Sequence, residues 1–255
     1  MTRTLFLIAV VGFLMAVICF CGATALGGRE LLQRGWTVKT AHISIDDDMG
    51  RRSAPVDGGG PTETRDIAWS GADALEVEVP ADVTFTQGPG PAKLTVTGPK
   101  GTVDQLRLSG PDLDFDQPPV NARPVTIVMT APHVRRFVLD GAGAISIAGF
   151  DQDELELELN GDGRIKADGK ARAVRLEISG DGQADLAGLK VDKADVDISG
   201  DGRTSIAPTR KADLDISGDG EIDLLTHPAD LHSETSGDGR IVQGDAAAAA
   251  ISRRR

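Results

Sequence analysis

The reactive side chains that recur most regularly along this chain are carboxylates. Asp162, Asp181, Asp201, Asp219 and Asp238 recur every 18 to 20 residues, each at the centre of a Gly-Asp-Gly triplet. Glu158, Glu177, Asp197, Asp215 and Glu234 keep the same interval four residues earlier. If the repeat stacks, each set becomes a column. Neighbouring carboxylates about 5 Å apart repel by roughly 0.8 kcal/mol in water, which a divalent cation would relieve. Calcium prefers such oxygen donors, so the five turn aspartates form a candidate calcium column. Calcium sites normally add backbone ligands at set geometry, and the Gly- and Asp-rich calcium repeat has a nine-residue period, unlike this one. The simpler reading is a row of solvated acids that resists edge pairing.

Other chemistries find less support. Glycoside cleavage uses one special carboxylate pair, whereas here the acids recur in nearly every unit. Aromatic residues make up only 4% of the chain, with no Tyr, so platforms for sugar rings are scarce. Cys19 and Cys21 both lie in an apolar N-terminal stretch, which leaves the body without a thiol nucleophile or cysteine ligand. His42, His133, His227 and His232 lack zinc-site spacing. The Gly-Asp-Gly triplets are not followed by the helix that a phosphate loop needs. The sequence therefore implies no catalytic residue, no cofactor-binding residue and no enzyme.

An internal repeat carries these acids. Gly-x-Gly turns begin at Gly141, Gly161, Gly180, Gly200, Gly218 and Gly237. Around each turn apolar residues alternate with polar ones, as in Leu176 and Ile178 before it and Ala184 and Leu186 after it; this is the period of a strand. One unit has too little apolar surface to fold alone, and stacking makes continuous inner ladders about 4.8 Å apart. The fold expected is all-β, a single-chain parallel β-helix or β-solenoid of about six coils. In the turns, glycine supplies positive φ, and aspartate is expected to tolerate it while offering an oxygen to the backbone. Asp140, Asn160, Ser179, Ser199, Ser217 and Ser236 precede the turns and could hydrogen-bond from coil to coil. Arg164, Arg203 and Arg240 share an outward column with Gln183 and Glu221, which suggests cross-coil charge pairing. Ser233, Thr235 and Gln243 replace aliphatics in the last unit, as a polar cap would. Upstream, Asp66 to Leu139 alternates less regularly and is expected to cover the N-terminal end.

The chain divides into four parts. Residues 1–28 read as a signal peptide or an N-terminal membrane anchor: no charge falls between Arg3 and Arg29, and Leu5 to Phe20 is almost wholly apolar. Both cleavage and retention as a membrane tether stay open. Phe20 before Cys21 argues against a lipoprotein site. Residues 29–65 have linker composition, 66–245 form the solenoid domain, and 246–255 are a disordered Ala/Arg tail. The net charge of -12 excludes nucleic acid as the main partner.

The segments Leu176-Glu177-Ile178-Ser179-Gly180-Asp181-Gly182 and Asp213-Leu214-Asp215-Ile216-Ser217-Gly218-Asp219-Gly220 resemble the putative auto-transporter adhesin head GIN domain family. The resemblance spans roughly Asp66 to Gln243. It implies a parallel β-helix exposed in the bacterial envelope, in a family whose function is unknown. Nothing after Gln243 has the strands of a translocator barrel. The expected role is a non-enzymatic adhesion, scaffolding or surface-interaction module, exported to the periplasm or cell surface, with an envelope macromolecule as partner. Two alternatives remain: a carbohydrate-active enzyme of β-helix type, and a membrane-anchored sensor.

Overall fold

The computed structural model describes residues 61–116 and 122–244, and almost all of this is strand. Three long strands form the centre: β9 (Gly143–Asn160), β10 (Arg164–Ser179) and β11 (Gln183–Ser199). Each bends midway and so contributes to two stacks of parallel strands. One stack continues through β12 (Arg203–Ile206), β14 (Glu221–Leu224) and β16 (Arg240–Gln243); the other continues through β13 (Pro208–Ser217) and β15 (Asp230–Ser236). The Gly-x-Gly turns join the stacks and delimit about five full coils.

The period-2 pattern maps directly onto the core. Ile178, Ile198, Ile216 and Thr235 stand in register down one ladder, beside Leu176, Val196, Leu214 and Ser233. The aliphatic members are fully or almost fully buried. Alternate side chains face solvent, so each coil adds one row inside and one outside. At the bends, register shifts occur between Ala167 and Gly169 and between Val191 and Lys193, where coils of unequal length are accommodated.

The N-terminal part stacks on the same core in an order that departs from chain order. A coil of β2 (Ala74–Val77) and β3 (Ala81–Gln87) lies directly on β8 (Arg136–Asp140) and β9. A coil of β6 (Asp112–Phe115) and β7 (Val125–Ala131) lies beyond it. The chain therefore runs outward and returns, giving the orders β7-β3-β9 and β6-β2-β8. Antiparallel strands close this end: β4 (Lys93–Pro99) on β7, β1 (Thr62–Ile67) on β4, and β5 (Leu106–Ser109) on β6. A single helical turn, α1 (Lys100–Val103), links β4 and β5 and buries Thr102 and Val103. Phe85 and Phe137 pack edge to face at 4.9 Å in this part of the core. At the opposite end β15 is exposed along its whole length. Ser233, Thr235 and Gln243 sit there under Leu214, Ile216 and Leu224, as expected of a polar cap.

The turns work differently from the sequence expectation. The first glycine of each triplet takes the left-handed position, with φ of 95° to 127°, and among the described residues only glycines have positive φ. The turn aspartates are thereby spared that conformation. The second glycine meets a packing constraint: a Cβ on Gly182 would come within 2.5 Å of Leu159 Cδ2. Coil-to-coil bonding at the turn is carried by the backbone, as where Gly180 N–H donates to the Ser199 carbonyl at 2.9 Å. In the polar column before the turns, a side-chain bond forms between Asn160 Nδ2 and Asp140 Oδ1, at 2.7 Å.

Strand β1 begins at Thr62, inside the stretch read as linker. The proposed signal or anchor (1–28), the rest of that linker up to residue 60, and the tail (246–255) lie outside the described residues. Among the described residues no helix is long and apolar enough to cross a membrane.

Candidate interaction surface

The repeat places Asp162, Asp181, Asp201, Asp219 and Asp238 at successive turn crests, all exposed. Glu158, Glu177, Asp197, Asp215 and Glu234 line up on the outer side of the stack that ends in β15. Both columns predicted from the spacing therefore exist. Among the described residues, however, no group of three or more His, Cys, Asp or Glu side chains is placed to hold a metal ion. One stacked carboxylate per coil gives no convergence of donors.

At the N-terminal end of the second column, Glu158 accepts a bond from Arg136 Nη2 at 2.9 Å. Glu76 stands in register with Asp112 nearby. Partial burial and the Asp112 charge raise the Glu76 pKa above the usual glutamate range, against the opposing pull of Arg136.

The outward column of the other stack pairs charges from coil to coil, as expected. Arg240 donates to both Glu221 carboxylate oxygens, at 3.0 and 3.1 Å, and Arg203 lies 3.4 Å away on the other side. The Arg240 hydrogen bonds hold the Glu221 carboxyl below its ordinary pKa. Where the coils bend, an open groove of about 710 Å³ runs along Asp151, Lys170, Lys190 and Thr209. Lys170 pairs with Asp151 at 3.0 Å and Arg172 with Asp153 at 3.2 Å, all strongly exposed. Pairs of this kind contribute about 0–1 kcal/mol each, so they describe surface character more than stability.

A third surface is invisible to reasoning that looks for charges and nucleophiles. On the outer face of β4, β7, β3 and β9 the outward residues are mostly uncharged, threonine above all, with Asp82 and Lys93 the charged exceptions. One row across the strands reads Thr64, Thr97, Thr126, Asp82 and Ala144. The next reads Asp66, Thr95, Val128, Thr84 and Ser146, and the third Lys93, Thr130, Thr86 and Ala148. Val128, at the centre, is 50% exposed. At one margin Thr95 donates to Asp66 at 2.7 Å, and Thr64 and Thr97 share a bond at 3.0 Å. The signal available in the sequence is the alternation of threonine with buried residues in Thr84-Phe85-Thr86, Thr95-Val96-Thr97 and Thr126-Ile127-Val128.

A closed inner ladder with repeated outer columns defines the class of the molecule: a parallel β-solenoid. The chain belongs to the family described as putative auto-transporter adhesin, head GIN domain, whose model matches residues 72–228. Among solved structures it is similar to a putative adhesin from Bacteroides fragilis, with 19% identity and a TM-score of 0.59, over 72% of this chain and 97% of that one. A putative adhesin from Parabacteroides distasonis matches with 14% identity and a TM-score of 0.51, over 73% and 98%. A putative lipid binding protein from the same species matches at 20% identity and a TM-score of 0.46, over 73% and 98%. At these identities the likeness to the two adhesins is one of fold. A comparison with curated protein sequences returned no match.

Proposed function

We propose that this chain is an exported, non-enzymatic interaction module of the cell envelope, whose outer solenoid faces contact a surface macromolecule. The observation that carries this reading is the regularity of the outside. Each coil repeats the same outward positions, so the molecule offers extended contact fields in place of one point where reactive groups converge. Extended weak contacts summed over a rigid scaffold suit adhesion or scaffolding. The family assignment supports a surface-interaction role, and the apolar stretch Leu5 to Phe20 supports export.

Two measurements test the proposal. Residues 1–28 fused to a reporter that is active only outside the cytoplasm should give activity, and a silent reporter would remove the export reading. Beads carrying the full chain should retain intact envelope fragments, in a manner that soluble full chain competes away. Retention equal to that of uncoated beads would remove the interaction reading.

A further inference from the structure

We infer that the threonine field of β4, β7, β3 and β9 is a binding face for an extended, uncharged polysaccharide. This rests on the interaction-module reading and names the face and the ligand class. The first ground is charge. In a chain of net charge -12, the residues that flank Val128 directly, Thr84, Thr95, Thr126 and Thr130, are uncharged; Asp82 and Lys93 reach it only diagonally and are of opposite sign, while Asp66 and, on β10, Arg164 and Lys166 bound the field. Isolated charges of both signs give an ionic partner little: a metal needs converging oxygens, and nucleic acid needs clustered cations.

The second ground is size and composition. Four strands about 4.8 Å apart, with three outward positions about 6.8 Å apart, give a field of roughly 400 Å². A stable protein interface takes about 800 Å² from each partner, and serine, threonine and valine are poor binding hot spots. A second copy or another protein is therefore a poor fit for this face.

The third ground is complementarity. Each threonine presents a methyl beside a hydroxyl, and a pyranose ring likewise alternates C–H faces with hydroxyl edges. Thr84, Thr86, Thr126, Thr130 and Ser146 make no side-chain hydrogen bond among the described residues, so their hydroxyls are available as both donors and acceptors. Threonine is stiff at χ1, and the sheet fixes the backbone, so little freedom is lost on binding. Strand spacing is close to the length that each residue adds to an extended β-linked sugar chain, so a chain laid across the strands follows one row and meets one strand per sugar. Phe85, Phe137 and Phe150 are buried in the core, which leaves no ring on this face. Affinity should accordingly be weak per sugar and should rise with chain length.

Affinity electrophoresis of the full chain, in a detergent without a sugar head group, tests this. The gels contain a soluble neutral β-glucan, the anionic polygalacturonate, or no polysaccharide. The neutral gel should retard the protein. Val128→Lys and Thr84→Lys, both at exposed positions, should weaken retardation at least ~5-fold, while Glu177→Lys on the other stack should not. Absence of retardation in the neutral gel, or retardation that survives Val128→Lys, overturns the proposal. So does a dimer in sedimentation that Val128→Lys dissolves, which would assign the face to a second copy. Retardation by polygalacturonate alone overturns the neutral-glycan assignment but leaves the interaction-module reading standing.

Discussion

Gly169 lies against Phe150 of the neighbouring coil, so close that a Cβ on the glycine would collide with the Phe150 carbonyl oxygen and come within 2.5 Å of its amide nitrogen. Its φ of 126° is also outside the range of side-chain-bearing residues. The site is the bulge where β10 changes register on β9, so the backbone has no free direction in which to yield. Gly149, on the other strand of the same bulge, has a φ of 65°, and a Cβ there would meet nothing within 4 Å. Gly169→Ala should cost at least ~3 kcal/mol and Gly149→Ala about 1 kcal/mol. For a domain of this size the melting temperatures should fall by roughly 6–12 °C and 2–4 °C respectively. Equal falls would contradict the close approach of the two coils.

Ile216 and Asp215 are adjacent in sequence and opposite in environment. Ile216 is fully buried between Ile198 and Thr235, while Asp215 points out between Asp197 and Glu234. Ile216→Asp removes about 1.5–3 kcal/mol of apolar burial and adds an unpaired charge to the core, so the domain should unfold or aggregate. Asp215→Ser relieves like-charge neighbours and should stay within about 0.5 kcal/mol of wild type. Similar melting temperatures for the two variants would mean that the register is wrong by one residue, because a slip of one exchanges inside and outside.

These two contrasts mark what the sequence makes legible. Glycines at a fixed interval, with strict alternation on either side, specify the turns, the inner ladders and the outer columns, since all three are consequences of one local period. The order β7-β3-β9 has no such trace. It depends on pairing between strands distant in the chain, such as Phe85 with both Met129 and Ile147, and local periodicity is blind to which distant strand fills a gap. Residue type alone suggests a backbone role for the turn aspartates, yet the preceding glycine already supplies the left-handed geometry. The threonine field is hard to see in the sequence because uncharged residues satisfy the outward half of a strand pattern without standing out from it.

The carboxylate columns lead to a test by metal removal. Each of the five Gly-Asp-Gly turns contributes a single exposed aspartate, and no described group of three or more ligating side chains converges. Calcium needs about six to eight oxygens, so one or two stacked carboxylates leave most of its shell to water. The melting temperature of the full chain should be the same, within ~1 °C, in millimolar calcium and in chelator at matched ionic strength, because a ligand stabilises only when present well above its Kd. A rise of several degrees with calcium would show that the turn column gathers further ligands, and Asp201→Asn should then abolish it.

Two glutamates on opposite stacks should respond to acid in opposite directions. The Arg240 hydrogen bonds lower the Glu221 pKa in the folded chain, so the ionised form stabilises the fold. That contribution is complete above about pH 4.5, the ordinary glutamate value, and disappears as the pH falls through the lowered folded value. Glu76 is the reverse case. Burial and its neighbour Asp112 raise its pKa, so the folded state holds the proton more tightly than the unfolded chain and ionisation is destabilising. That penalty is complete above the raised value and vanishes below about pH 4.5. At pH 7, Glu221→Gln should therefore lower the melting temperature and Glu76→Gln should raise it. Both differences from wild type should shrink towards zero on acidification, with the Glu76 difference closing first because its window lies at higher pH. Thermal melts of the full chain and the two variants between pH 7 and pH 3 read this directly. Two variants that shift in the same direction at pH 7 would contradict the environments assigned to these carboxylates, since Glu76 faces a second acid across its sheet whereas Glu221 is held between two arginines.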